Sequence, residues 1–302
     1  MKMKFVTCLE NGNETVGILI ENQVVRVNDV LSLQGLPPVG TMLDLIRSCD
    51  KDARIYEALS KTDLSSLPRL PLEELKLLAP IPYPQRNIFC LGKNYADHVH
   101  EVKDMRLSVS DMPEAPIYFS KTAMPAIGSG EVIRYSRKAT EKVDYEAELA
   151  VVIGKAGKDI RPEDAEQYIF GYTIINDVSA RDLQKKHEQW FKGKNLDTFC
   201  PMGPCIVDKN ELPFPVELDI SCRVNGEIRQ NSNTRNLIFD LPTIISDLSK
   251  GMTLLPGDII CTGTPSGVGM GFDPPRLLKD GDLVECRIEG IGTLSNTVKV
   301  DE

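Results

Sequence analysis

Residues 143–155 read VDYEAELAVVIGK, and the apolar run 149–153 reads as a β-strand entering a hydrophobic core. Side chains alternate faces along a strand, so Asp144, Glu146 and Glu148 point one way while Tyr145, Ala147 and Leu149 point the other. Like charges two residues apart lie about 6.6 Å from each other and, at an effective dielectric near ~20, repel by roughly 2.5 kcal/mol. A fold that accepts this strand has to supply something that offsets the repulsion.

With 302 residues, 41% hydrophobic and 26% charged, the chain has the composition of a globular protein with a sizeable core. The formal net charge of -9 gives no electrostatic footprint for nucleic acid or an anionic membrane, so neither is expected as a partner. An anionic substrate would therefore need local positive charge in its pocket. Eight cysteines are scattered without a CxxC pair, several inside apolar runs such as DIICTG and LVECRI. They read as buried free thiols in a reducing compartment rather than a disulfide framework or a zinc site. The start, MKMKFVTCLENGNE, reaches Glu10 before a long apolar region develops and does not read as a signal peptide. No run approaches the roughly 18 apolar residues of a membrane span, and a cytoplasmic location is expected.

The first residues alternate strand-like runs, KFVTCLE, TVGILIE and QVVRVND, across Asn-Gly and Glu-Asn turn signals. Helical spacing follows in TMLDLIRSC and ARIYEALSK. The proline-rich segment 67–85 reads as an extended connector. A boundary there divides a small N-terminal α/β module, residues 1–78, from a larger body, residues 79–302. In the body NIFCLG, PIYFSK, EAELAVVIGK and GYTIINDV read as strands. RPEDAEQYI and IFDLPTIISDLSKG read as helices, the second ending at Gly251. Residues 101–116 read as a mobile surface loop, and after Pro204 strands predominate. Helices and strands do not alternate strictly, which favours an α+β body around a rolled mixed sheet over a doubly wound one.

Asp177 ends the strand-like run GYTIIND, where backbone gives way to a loop and an acid can face a cleft. Ser179 and Asp182 fit a capping box for the helix that follows, and Asp177 could itself serve only as a cap. Carboxylates that converge need a cation, and all-oxygen ligands favour a hard ion: magnesium or manganese first, calcium second. E-x-E also occurs on solvated strand faces, so spacing alone leaves metal site and plain surface both open. TGTPSGVGMG is glycine-rich but lacks the Gly-Lys-Ser/Thr ending of a phosphate loop. Trp190, the single tryptophan, is expected to pack its helix on the body.

GKNYADHVHE, YEAELAVVIGK, GYTIINDVSARDLQ, GKNLDTFCPMGP, VNGEIRQ and LLPGDIICTGTPSGVG occur in this order and together resemble the fumarylacetoacetate hydrolase family. The likeness runs from about residue 80 to the C-terminus, and the longer form with its own N-terminal module is similar to bacterial members that act as oxaloacetate decarboxylases or acylpyruvate hydrolases. The resemblance implies a mixed β-roll, usually dimeric, with magnesium or manganese held by Glu146, Glu148 and Asp177; the family pattern does not use Asp144. His98 and Glu101 lie three apart and share a face of a helical turn. The resemblance makes them a water-activating dyad and leaves His100 a bystander. It gives Lys194 an active-site role, Lys121 a basic position near the substrate, and Gln184 a substrate contact. Arg181, on the same helix face as Gln184, becomes a partner of the acids and a source of positive charge for the substrate. Thr264, in the TGTP turn, falls beside the substrate carboxylate. Lys93 and Lys192 receive no role.

The function implied is divalent-metal-dependent C–C bond cleavage of a small 2-oxo acid, either oxaloacetate decarboxylation or acylpyruvate hydrolysis, through a pyruvate enolate. Decarboxylation needs only an electron sink, whereas hydrolysis also needs His98 and Glu101 to deliver water. Loop 101–116 is expected to close over substrate, as lids do. An isomerase acting on a 2-hydroxyhepta-2,4-diene-1,7-dioate-like substrate is the first alternative. A partner-binding protein with a secondary activity is the second.

Overall fold

The computed structural model describes residues 3–104 and 112–302. Residues 105–111 of the expected lid, and with them its closure, lie outside the described residues. The strand Ala147–Ile153 is buried along its whole length in an eleven-stranded mixed sheet. It runs antiparallel to Ile169–Asn176 on one side and to Ile259–Cys261 on the other. Alternation divides its side chains between two cores. Leu149, Val151 and Ile153 enter one core with Ile220, Val284 and Leu294 of a second, five-stranded sheet. Ala150 and Val152 enter the other with Phe5, Leu45 and Leu59 of the N-terminal segment. Neighbouring strands repeat the division, Ile174 against Ile175 and Val207 against Ile206. A strand covered on both faces has no use for polar alternation, which explains the unbroken apolar runs.

The α+β class expected from the element order is what forms. Strand Lys4–Glu10 pairs antiparallel with Met202–Asp208, so the N-terminal strands extend the sheet of the body. Helices Met42–Lys51 and Ala53–Lys61 follow, the first opened by a Thr41–Asp44 capping box and the second capped by Asp52. QVVRVND is not one strand. It stops at Arg26, and Val27–Leu33 is a helix burying Val27, Val30 and Leu31 at helical spacing. RPEDAEQYI forms a 3-10 helix, Pro162–Tyr168, with Ala165 alone buried, too little apolar surface to hold a longer α-helix. Seven of the eight thiols are buried and Cys49 is half-buried. Among the described residues no helix is long and apolar enough to cross a membrane.

Two short pairings bring the acidic segments together. Ser179–Ala180 bridges to Val143–Asp144, laying the chain after Asp177 beside the acidic end of the central strand. This replaces the capping box expected at Ser179 and Asp182. Ser179 Oγ donates to Asp177 O, Asp182 accepts from Thr140 Oγ1, and the N-cap of helix Arg181–Lys186 is Ala180. Gly171 marks the closest approach between Ile169–Asn176 and Met202–Asp208: a Cβ there would lie 2.3 Å from Val207 O and 2.7 Å from Ile206 Cγ2. Gly171→Ala is expected to destabilise the fold by about 1–3 kcal/mol through overpacking. Denaturant melts check this, and an unchanged midpoint would show that the strands can part without cost.

Candidate active site

The central strand is interrupted at its acidic start. Regular pairing stops after Asp144 and resumes at Ala147. In the gap Asp177 N donates to Glu146 O at 2.8 Å, and Glu146 N donates to Asn176 Oδ1 at 3.0 Å. Glu146 and Asp177 are thereby held side by side, with Glu148 one strand repeat further on. Glu146, Glu148 and Asp177 are buried, and each offers an oxygen within 4.8 Å of those of the other two.

Buried cations offset much of this charge. Lys194 Nζ lies 2.7 Å from both Glu146 Oε2 and Asp177 Oδ2. Arg181 reaches Glu146 Oε1 at 2.7 Å and Asp144 Oδ2 at 2.8 Å, so Asp144 anchors the guanidinium. Lys121 Nζ sits 2.8 Å from Asp177 Oδ1 but is not aligned as a hydrogen-bond donor to it, and that oxygen accepts none among the described residues. Burial opposes the charge on Glu146, yet Lys194 and Arg181 hold its carboxyl down to about 2. Among the described residues no cation pairs directly with Glu148: burial, then the charges of Asp177 and Glu146, push it well above the usual carboxylate range. Burial likewise opposes the Lys194 ammonium, and Asp177 and Glu146 outweigh it, holding the group above the usual lysine range.

The glycine-rich stretch supplies the remaining donors, as backbone amides. Gly263 N donates to Glu148 Oε2 at 3.0 Å, Gly267 N to Glu101 Oε1 at 2.9 Å, and Gly269 N and Met270 N to the two oxygens of Asp144 at 2.6 and 3.0 Å. Gly267 has φ +100°, and a Cβ on it would lie 2.0 Å from Arg229 O, so no other residue fits. Asn94 ties this loop to the turn after Ile88–Gly92, donating to Thr262 O at 2.8 Å. Sequence reading missed this amide clamp; its signal was the glycines themselves, read only as a rejected phosphate loop.

A cavity of about 180 Å³ opens onto Glu146 and Glu148, room for a small acid. His98, Arg181, Gln184, Lys194 and Thr264 also line it. His98 Nδ1 is 2.9 Å from Glu101 Oε2. Facing a carboxylate, which accepts, Nδ1 is assigned as the donor of this bond and Nε2 is the nitrogen left for other partners. His100 is exposed. Arg181 Nη1 donates to Gln184 Oε1 at 3.1 Å, joining these two on one helix face. Lys121 departs from the expected position near substrate. It is fully buried behind Asp177, donating to Val178 O and Lys194 O, and is absent from the cavity wall. Thr264 is on the wall, but its hydroxyl proton is committed to Ala147 O at 2.9 Å while Gln230 Nε2 donates to it at 2.8 Å. Trp190 does more than pack its helix: its ring meets the Phe119 edge at 5.2 Å between centroids and forms part of the wall. Lys93 and Lys185, given no role from sequence, also face the cavity.

The donor set fits a hard divalent ion. Three carboxylates converge, and among the described residues Asp177 Oδ1 accepts no hydrogen bond and Glu148 lacks a cation of its own. Because Glu148 holds its proton to higher pH than an ordinary carboxyl, ion binding has to release that proton, and by linkage affinity rises with pH. Calorimetric titration with Mn2+ in buffers of differing ionisation enthalpy should show proton release. Affinity should fall by up to about tenfold per pH unit below the raised pKa. Glu148→Gln should abolish binding, whereas Asp144→Asn, which keeps one acceptor oxygen for the loop amides, should retain it. Tight binding by Glu148→Gln would move the ion elsewhere.

Residues 87–299 match the family described as fumarylacetoacetate (FAA) hydrolase C-terminal. The chain is 44% identical over 306 residues to oxaloacetate tautomerase YisK of Bacillus subtilis (strain 168), covering 98% of this chain and 100% of that one. A fumarylacetoacetate hydrolase from psychrophilic Exiguobacterium antarcticum superposes with a TM-score of 0.84 at 40% identity, over 99% of this chain and 100% of that one. Maleylpyruvate hydrolase from Sphingobium sp. SYK-6, solved in complex with manganese (II) ion and pyruvate, superposes with a TM-score of 0.77 at 29% identity, over 99% and 100%. The six ordered sequence blocks, the shared fold and the full-length relative agree: the chain belongs to the fumarylacetoacetate hydrolase family and is one of its enzymes.

Proposed function

We propose that this enzyme interconverts the keto and enol forms of oxaloacetate. The observation that carries the reading is the His98–Glu101 pair, a polarised base on the same cavity wall as the acids. The full-length likeness to an oxaloacetate tautomerase supports it. Glu146, Glu148 and Asp177 would hold magnesium or manganese, with the manganese-bound neighbour supporting the second. Such an ion draws electron density from a keto oxygen and is worth several kcal/mol to the developing charge.

C3 of oxaloacetate lies between two carbonyl-bearing carbons, so its proton is removable once the charge left behind is stabilised. His98 Nε2 takes that proton, and Glu101 steadies the imidazolium through Nδ1. The electron pair moves onto the C2 oxygen, where the fixed charges of Lys194 and Arg181 favour it. The imidazolium then gives its proton to that oxygen, forming the enol, and the reverse sequence forms the ketone. Lys194 keeps its own proton throughout, because Asp177 and Glu146 stabilise the charged form.

A second reading, C–C cleavage, draws support from the maleylpyruvate hydrolase neighbour. Breaking the C3–C4 bond instead of a C–H bond leaves a different enolate, that of pyruvate, with its charge on the same C2 oxygen. Decarboxylation of oxaloacetate needs no base, while hydrolysis of an acylpyruvate needs His98 to activate water. His98→Ala is expected to slow enol-to-keto conversion, followed by ultraviolet absorbance of the enol, by about 10²–10⁴-fold. Carbon dioxide release should fall less, and Mn2+ binding should persist. Undiminished tautomerisation would remove the dyad from the mechanism. Turnover of an acylpyruvate without any effect on oxaloacetate would favour the second reading.

A further inference from the structure

The apolar part of the cavity wall forms one continuous arc. Phe119, on strand Ile117–Lys121, lies under the Lys194 ammonium, 5.1 Å from Nζ to the ring centroid. Trp190 meets Phe119 edge-on, with 72° between the ring planes. The Trp190 ring also reaches the end of strand Ile88–Gly92, where a Cβ on Gly92 would lie 2.3 Å from ring carbon Cζ3 and 2.6 Å from Cη2. It therefore rests on the bare backbone of the glycine. Leu91, one residue back, is buried, and its carbonyl closes on Gly263, whose amide holds Glu148. The arc starts beside the acids at Lys194 and returns to them at Gly263, with Trp190 in its middle.

The ring is held from two directions. On one side it is stopped by the Gly92 backbone and the Phe119 edge. On the other its main chain lies one turn before Lys194, whose backbone N donates to Trp190 O at 3.1 Å. The short helix Phe191–Lys194 is thus tied at both ends, by Lys194 to Glu146 and Asp177 and by Trp190 to Gly92. Swinging the ring outward would pull on an ammonium paired with two buried carboxylates, which is costly to disturb. A ring held in this way is a fixed boundary. It lines the same cavity of about 180 Å³ as Glu146 and Glu148, so the space beyond the acids is bounded by an aromatic that does not yield.

We propose that Trp190 is the end wall of the substrate site and limits 2-oxo acids to a four-carbon chain, the length of oxaloacetate. This rests on reading the cavity as a 2-oxo acid site. Calorimetry on the Mn2+-loaded protein first measures oxalate, which carries the chelating oxygens of a 2-oxo acid and nothing beyond them. Displacement of oxalate by 2-oxobutanoate and by 2-oxohexanoate then compares chains of four and six carbons. Wild type should bind the six-carbon acid about tenfold or more weakly than the four-carbon one, within the range for forcing methylenes into packed space. Trp190→Ala should reverse the order, binding the longer acid about tenfold more tightly as two further methylenes leave water. Trp190→Phe should bring the two acids within about threefold of each other. Phe191→Ala, a change at the exposed neighbour, should keep the wild-type order. Oxalate should bind all four proteins alike, which separates a wall from a residue needed only for folding. Should Trp190→Ala lose oxalate, Trp190→Phe decides by the same criterion. Oxalate binding with the wild-type order preserved in the Trp190 variants would overturn the wall alone. Failure of oxalate to bind wild type would overturn the 2-oxo acid reading and the wall with it.

Discussion

Four carboxylates are buried within one small region of this protein, and the rest of the structure is arranged around that load. Asp144 and Asp177 are fully buried, and Glu146 and Glu148 nearly so. A buried charge left alone costs several kcal/mol, so each acid obliges the fold to bring it a partner. Lys121, Lys194 and Arg181 come from three different segments, and the amides of residues 263–270 come from a fourth. Convergence of these segments is therefore a condition of folding as well as of chemistry. Four acids face three cations, so removing any one cation would double the net negative charge buried there.

The compensation is deliberately uneven in its physical effect. Glu146, held by Lys194 and Arg181, stays ionised, whereas Glu148, held by one amide, resists ionisation until a cation arrives. Asp177 adds an oxygen that accepts no hydrogen bond among the described residues. Ligands already fixed by protein contacts need little reorganisation on binding an ion, and the missing positive charge is what draws the ion in. Lys194 remains a fixed positive charge on the cavity wall, because its two carboxylate partners oppose its deprotonation.

Much of the frame was legible because it follows simple periods. The division of Leu149 and Val151 from Ala150 and Val152 is the period-two rule, and helices Met42–Lys51 and Ala53–Lys61 follow the helical one. Glu146, Glu148 and Asp177 were legible only through the ordered blocks of the family, since E-x-E alone is common on surfaces. What stayed hidden was set by tertiary contact. Ser179 looked like a cap until its strand bridge to Asp144 took it away. Lys121 looked like a substrate contact, yet its strand aims it at the back of Asp177. A backbone amide has no side-chain signature, so the clamp of residues 263–270 left only its glycines in the sequence.

That clamp also fixes how His98 stands relative to the acids. His98 and Glu101 lie on helix Ala96–Asp104, while Glu146 and Glu148 lie on the central strand. Gly267 grips Glu101, Gly263 grips Glu148, and Gly269 and Met270 grip Asp144, which in turn holds Arg181. One short run of backbone thus indexes the proposed general base, the proposed ion ligand and the guanidinium of Arg181 to each other. A shift in the loop would move all three together, whereas independent anchoring would let the helix drift by the fraction of an ångström that proton transfer cannot tolerate. The sharp turn at Gly267, closed to any larger residue by Arg229 O, is what makes this indexing rigid.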